Sequence, residues 1–390
     1  MSPPFLPFAR PSITAREREA VLEVLDSGWL TTGPKVREFE TRFAEFVGAT
    51  HAVAVNSATS ALHLALEASG VGPGHEVIVP TWTFAASSEV VVHCGAAPVL
   101  VDVEATALNA SVEAILGAVT ARTRAVIGVH FAGRPFDVVT LNAQLEDRGI
   151  VLIEDAAHAF PSRLSHTSRF AGTIGRIGAF SFYATKTITT GEGGMLVTED
   201  ARIADRARVM SLHGISRDAW KRYTESGSWY YEIEEAGFKY NMTDLSAAVG
   251  LVQLSRADEL LAARRELAAQ YIAAITESSA LRDLIELPTP GADESHAWHL
   301  FVIRLQLERI VPDRAAVMDG LRARGIGASV HFIPLHLHPY YRREWGTVAE
   351  DFPVATREYE RVVSLPLWPG MTVQDIRRVV VALEEVVVGR

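Results

Sequence analysis

Gly178-Ala179-Phe180-Ser181-Phe182-Tyr183-Ala184-Thr185-Lys186, followed by Gly191-Glu192-Gly193-Gly194-Met195, is the most informative run in the chain. It reads as a short buried strand that stops at a loop bearing one lysine. The glycine cluster then leads into a second strand, Met195-Leu196-Val197-Thr198. A lysine flanked by apolar and hydroxyl residues is poorly placed for a solvated face. Desolvation lowers the amine pKa and suits it to forming a Schiff base. A plain surface lysine after a strand has the same local pattern, so this element needs company.

Upstream, Ile150-Val151-Leu152-Ile153-Glu154-Asp155-Ala156-Ala157-His158 repeats the geometry with an acid. The apolar run suits a strand buried on both faces, as in a parallel sheet. Asp155 at its carboxyl end lies where open α/β sheets bind ligands. A buried carboxylate is costly unless it meets a cation, and a protonated pyridine nitrogen supplies one. A helix cap or a structural ion pair is the alternative for a lone Asp.

The third element precedes both. His51-Ala52-Val53-Ala54-Val55 reads as a strand, Asn56 to Ser60 as a small-residue turn, and Ala61 to Leu66 as a helix. Such a turn presents free backbone amides and a favourable dipole to a phosphate. A phosphate cradle, an acid for a ring nitrogen and a lysine for an aldehyde are the three handles of pyridoxal phosphate.

Working outward, strand-like and helix-like segments alternate from about Val53 to Thr198, with Glu76–Val79, Pro98–Asp102 and Ala125–Val129 among the strands. The alternation predicts a three-layer α/β/α domain on a mostly parallel sheet. A long helical region follows from Thr243 to Ile275. The remainder reads as a smaller α+β domain, with strands at His299–Ile303 and Ala328–Phe332 and helices at 313–325 and 372–388. The expected division is a large domain with an N-terminal arm over 1–255 and a small C-terminal domain over 256–390.

A chain of 390 residues with 48% hydrophobic content has enough apolar material for two such cores. The net charge of −10 and the lack of a basic run argue against nucleic acid. No stretch is apolar enough to span a membrane. One cysteine, Cys94, precludes an intrachain disulfide and suits a reducing cytoplasm.

The order SATSALHLAL, EVIVPTWTFAAS, IEDAAHA, GAFSFYATKTITTGEGGM and GFKYNMTDLSAAVGLVQL resembles the DegT/DnrJ/EryC1/StrS sugar aminotransferases, fold-type I relatives of aspartate aminotransferase. The likeness runs from Gly28-Trp29-Leu30-Thr31-Thr32-Gly33-Pro34 to Ser364-Leu365-Pro366-Leu367-Trp368-Pro369, nearly the whole chain. It implies that Lys186 binds the cofactor aldehyde and later shuttles a proton, and that Asp155 pairs with the ring nitrogen. By the same resemblance Trp82 stacks on the ring, His158 bonds the ring hydroxyl, and Ala58, Thr59 and Ser181 contact the phosphate. Core packing is the ordinary alternative for Trp82.

Many relatives read Gly-Tyr-Asn-Tyr-Arg-Met where this chain has Gly237-Phe238-Lys239-Tyr240-Asn241-Met242. In the family this segment reaches the neighbour's phosphate across a homodimer interface. Lys239 and Asn241, two apart, face the same way in an extended chain, and Asn241 is the favoured ligand. The resemblance also places His331 and the loop bearing Trp29 and Thr31 at the active-site mouth. His331, His336 and His338 are interrupted by Pro334 and lack a companion cysteine or carboxylate, so no metal is expected.

The implied activity is transfer of an amino group from an amino acid, glutamate by resemblance, to a ketosugar held as its nucleotide diphosphate. The cofactor cycles between pyridoxal and pyridoxamine phosphate. GIGASVHFIPLHLHPYYR and LPLWPGM resemble members that aminate C4 of 4-keto hexoses or pentoses. Two alternatives stay open: a dehydratase or aromatizing enzyme on the same scaffold, and a non-catalytic protein that holds the cofactor.

Overall fold

The computed structural model describes residues 4–164, 167–215, 231–289 and 295–389. Among these, β1 (His51–Val55), β2 (Glu76–Pro80), β3 (Ala97–Val101), β4 (Thr123–Val129), β5 (Val151–Asp155), β6 (Ile177–Ser181) and β7 (Gly194–Thr198) form one sheet, in the order β1-β7-β6-β5-β4-β2-β3. From β3 to β6 every pairing is parallel, whereas β7 runs antiparallel to both β6 and β1.

The period of two along each strand divides its side chains between two helical layers. Ile78, Val126, Leu152 and Phe180 enter a core with the helices Pro34–Val47 and Val138–Glu146. Their neighbours Val77, Ile127, Ile153 and Ala179 enter another, with the helices Ala58–Ala68 and Ala201–Met210. This is the expected three-layer α/β/α arrangement.

A second, antiparallel sheet joins β8 (Ile285–Glu286), β9 (Phe301–Leu305) and β10 (Val362–Leu365), in the order β10-β9-β8. The helices Arg314–Ala323 and Val373–Val388 pack on it in a separate core. The second of these starts with a capping box between Thr372 and Asp375.

The long helical region is two helices, Asp244–Leu254 and Ala257–Glu277, broken at Ser255 and Arg256. The latter helix straddles the halves: Ala257 and Leu260 belong to the large core, and Leu267, Tyr271 and Ile275 to the small one. Two expectations shift. Ala328–Phe332 forms no strand but a single bridge from Ser329 to Ser364. The N-terminal arm, grouped by sequence with the large domain, packs on the small one: Leu6 is buried in that core, and its backbone pairs with Gly325 and Gly327.

Glu154 fixes the approach to β6. Its buried carboxylate accepts from His130 Nε2 at 2.8 Å and from the amides of Gly172, Ile174 and Gly175 at 2.6–2.7 Å. Burial alone would raise its pKa, but His130 and these amides together hold it below the usual carboxylate range.

Candidate active site

Strands β4, β5 and β6 end side by side, and their carboxyl ends open onto a cavity of about 580 Å³. Lys186, Asp155, His158, Ala58, Thr59, Ser181 and His331 all line it.

The helix Ala58–Ala68 supplies one wall. Its cap Ser57 accepts from the Ser60 amide at 3.1 Å, and the helix start leaves the amides of Ala58 and Thr59 without intrahelical carbonyls. A Cβ at Gly194 would sit 2.4–2.6 Å from the Ser57 carbonyl and the Ala58 nitrogen. Only glycine lets β7 lie flush against this turn.

Asp155 is buried, yet its carboxylate borders the cavity. Oδ1 accepts from the Ala157 amide at 3.1 Å, and Oδ2 accepts from Ser87 Oγ at 2.8 Å. Ser87 Oγ in turn lies 2.8 Å from Thr83 Oγ1. Both oxygens are thereby oriented while the carboxylate still faces the opening.

Lys186 follows a turn in which its amide donates to the Tyr183 carbonyl at 2.9 Å. The residue is half-buried, with surface on the cavity, but its amine is ringed closely enough to be desolvated. Burial pushes it down to about 8; Asp155 opposes that shift and Arg264 adds to it. An amine titrating there has a neutral, nucleophilic fraction near neutral pH far larger than an ordinary lysine's.

His158 receives the Ala132 amide on Nδ1 at 3.2 Å, which leaves Nε2 to carry the proton. Burial holds it well below its ordinary value, and the Lys186 and His331 charges push the same way. His331 Nδ1 lies 2.9 Å from Ser364 Oγ, and its ring stacks on Phe8 of the N-terminal arm with centroids 5.1 Å apart.

Not every expected residue arrives. Trp82 is fully buried, edge-on to Phe131 in the seam between the two halves, and does not line the cavity. Phe84, two residues on, does; it is 62% exposed. The chain leaves β2 at Pro80 in a bend, so the parity of an extended strand no longer says which ring faces the opening.

Trp29, Thr31, Lys239 and Asn241 also lie outside this cavity. Trp29 Nε1 donates to the Thr32 carbonyl at 3.0 Å, and Asp244 binds the amides of Gly33, Lys35 and Val36, which ties the loop to the helix Asp244–Leu254. Asn241 Nδ2 donates to Thr32 Oγ1 at 2.7 Å, and both residues line a separate groove of about 850 Å³. Lys239 Nζ donates to Asn241 Oδ1.

The three histidines near the C-terminus serve separate ends. His336 is buried between Thr81 and Thr356, with Nδ1 at 2.7 Å and Nε2 at 2.9 Å from their hydroxyls. His338 Nε2 lies 3.2 Å from the Ile333 carbonyl.

Sequence reasoning missed His299, whose Nε2 lies 3.4 Å from Lys186 Nζ. It also missed Arg264, Phe8 and Phe84. The first three come from segments remote from the lysine loop, and no local pattern marked them.

The sequence matches the profile of the DegT/DnrJ/EryC1/StrS aminotransferase family over residues 11–384. It is 46% identical over 388 residues to the spore coat polysaccharide biosynthesis protein SpsC of Bacillus subtilis, covering 99% of this chain and 98% of that one. The fold is similar to a putative sugar aminotransferase, Spr1654 from Streptococcus pneumoniae in its PMP form. The TM-score is 0.89 at 31% identity, covering 98% and 99% of the two chains. It is also similar to Helicobacter pylori PseC, an aminotransferase involved in the biosynthesis of pseudoaminic acid, with TM-score 0.90 at 25% identity over the whole of both chains.

Proposed function

The chain belongs to the DegT/DnrJ/EryC1/StrS aminotransferase family of pyridoxal-phosphate-dependent sugar aminotransferases, and from that premise we propose that it transfers an amino group from glutamate to C4 of a nucleotide-linked ketosugar. The observation that carries the proposal is the convergence of Lys186, Asp155 and the Ala58–Thr59 helix start on one cavity.

The residues present fit the cofactor. The helix start and Ser181 would hold the phosphate, with Gly194 leaving the turn uncovered. Asp155, oriented by Ser87 and the Ala157 amide, would hold a proton on the ring nitrogen. His158, with Nε2 carrying the proton, would donate to the ring oxygen. Phe84, rather than Trp82, has the exposure to stack on a ring. Bound there, pyridoxal phosphate supplies a carbonyl for amines and a ring that draws electrons from the carbon beside them.

Lys186 would do the rest. Half neutral at about pH 8, its Nζ would hold the cofactor through its aldehyde and, as a free amine, would carry a proton between the donor's carbon and the sugar carbon. The C4 position rests on the likeness of Gly325 to Arg342 and of Leu365 to Met371 to C4-aminating members. His331 borders the cavity from that segment and would contact the sugar.

We also propose a homodimer with shared sites. Asn241, Trp29 and Thr31 lie together on one surface, outside their own chain's cavity, and would meet the partner's cofactor and substrate from across the interface.

Absorbance of the purified protein with pyridoxal phosphate, before and after glutamate, tests the reading. A lysine-bound cofactor band that glutamate converts to the pyridoxamine form supports it, and a panel of nucleotide ketosugars then tests C4. A band that ignores every amino donor would shift the reading to a dehydratase. No band at all would sink the Lys186 assignment.

A further inference from the structure

His299 touches the lysine amine, and the fold goes to some length to put it there. The segment from Ala297 to Leu300 docks on the turn after β4, with the Ala297 amide donating to the Gly133 carbonyl at 2.8 Å and the Leu300 amide to the Ala132 carbonyl at 3.2 Å. Gly133 has a φ of +97°, and a Cβ on it would press within 2.9 Å of Ala297 and of the His158 carbonyl. Trp298 takes a φ of +49°, an unfavourable conformation for a bulky residue that only an over-determined setting sustains. On the other side, Arg264 Nη1 donates to the carbonyls of Trp298 and His299 at 3.2 and 3.3 Å. The His299 ring then rests 4.4 Å, centroid to centroid, from that of His158.

One nitrogen of that ring decides the other. Nδ1 is buried with no hydrogen-bond partner among the described residues. An orphaned buried donor is costlier to leave than an unfilled acceptor, so Nδ1 is the bare nitrogen and Nε2 carries the proton. The surroundings keep the ring neutral: besides burial, Lys186, His158, Arg264 and His331 all oppose a positive charge on it. Asp155 and Glu192 are the carboxylates that line this cavity; both oxygens of Asp155 are engaged elsewhere, and Glu192 is exposed at its edge.

We infer that His299 is a positioning residue for the reaction: its neutral Nε2–H donates to the lone pair of the free Lys186 amine, 3.4 Å away, and holds that amine neutral and in place whenever it is released from the cofactor. A neutral lysine is the form that can take a proton from the substrate carbon. This inference rests on the reading of Lys186 as the reacting amine.

Two measurements on cofactor-free protein test it. Histidine-selective 15N NMR, with the His299 signal identified by its absence in H299Q, should show Nε2 protonated and Nδ1 bare between about pH 6 and 9. An Nδ1–H tautomer or an imidazolium in that range overturns the inference. Acetylation of Lys186 by acetic anhydride across pH, read by peptide mass spectrometry, should give a midpoint near 8 in the wild type. In H299L the midpoint should rise by roughly half to one pH unit, the worth of one lost hydrogen bond to the neutral form. H299Q, whose amide reaches the same point as a donor, should restore most of it. A midpoint in H299L equal to or below the wild type's, or an H299Q that follows H299L, overturns the inference. Should H299L fail to fold, the tautomer in the wild type still decides. A wild type that forms no lysine-bound band with pyridoxal phosphate removes the Lys186 reading itself, whereas an intact band with an unmoved midpoint removes only the role of His299.

Discussion

Nη2 of Arg264 lies 3.4 Å from the carbonyl oxygen of Thr185, the residue before the cavity lysine. Its other terminal nitrogen donates to the carbonyls of Trp298, His299 and Leu367 at 3.0–3.3 Å. One buried guanidinium thus ties the lysine loop, the His299 segment and the loop after β10 together. Among the described residues its hydrogen-bond partners are all carbonyls, and burial brings its pKa down to about 10.

That fork should not tolerate lysine. R264K keeps a charge but cannot bridge three segments, and a compact ammonium in so dry a site is poorly satisfied. We expect a loss of about 2–3 kcal/mol in urea unfolding and a fall in kcat of roughly tenfold or more. R264M removes the charge as well, and with it one cause of the lowered Lys186 pKa, so the lysine should titrate above about 8. A variant with wild-type stability and turnover would refute this role.

Trp82 and Phe84 should separate cleanly when each is replaced. W82A empties a fully buried site in the seam between the halves and should cost about 3–5 kcal/mol of stability. F84A removes an exposed ring at the cavity and should cost little stability but weaken pyridoxal phosphate binding about tenfold, measured by cofactor titration of the apo protein. The reverse pattern would return the stacking role to Trp82.

This pair also marks where the sequence stopped being legible. Strand ends announce themselves through apolar runs, which makes Asp155 and the β1 turn legible from the residues themselves, while Ser181 is legible through the family resemblance; all three meet in one cavity. Trp82 and Phe84 lie beyond a strand end, where parity no longer predicts facing. His299 and Arg264 were invisible for a different reason. Each is locally unremarkable, one beside a strand and one within an amphipathic helix, and only the packing of the two halves brings them to Lys186. The N-terminal arm likewise offered prolines and no periodicity, so nothing foretold that it would set Phe8 against His331.

Removing the lysine should stabilise the cofactor-free protein. Lys186 titrates at about 8 in the fold against an ordinary 10.5, so between those values the unfolded chain binds more protons than the native one. Native stability therefore rises as pH passes from about 8 to about 10.5, and below that window the buried charge is a full burden. The interval corresponds to about 3 kcal/mol, reduced to roughly 2 by the cavity's access to water. K186M should accordingly resist urea better than the wild type at pH 7, with the advantage fading towards pH 10.5, while forming no lysine-bound cofactor band. A constant difference across that range would show that the amine is not desolvated.

The proposed sharing of sites makes a prediction that single-chain effects cannot imitate. Asn241 and Lys186 face different cavities of one chain, so in a dimer a defect in either spoils a site, but not always the same one. Mix K186A with N241D, whose added carboxylate should repel a phosphate from across the interface. Each homodimer then carries two damaged sites. The mixed dimer carries one site in which both defects coincide and one in which neither is present. Activity should therefore reappear on mixing, approaching roughly a quarter of the wild type's when subunits exchange freely in equal amounts, since about half the dimers are mixed and each has one sound site. The recovery should track the slow formation of mixed dimers seen by native mass spectrometry. If Asn241 acts within its own chain, both sites of the mixed dimer stay damaged and mixing restores nothing. If Lys239 is the true phosphate ligand, K239E will complement K186A while N241D alone remains active, and the assignment moves two residues along the same strand face.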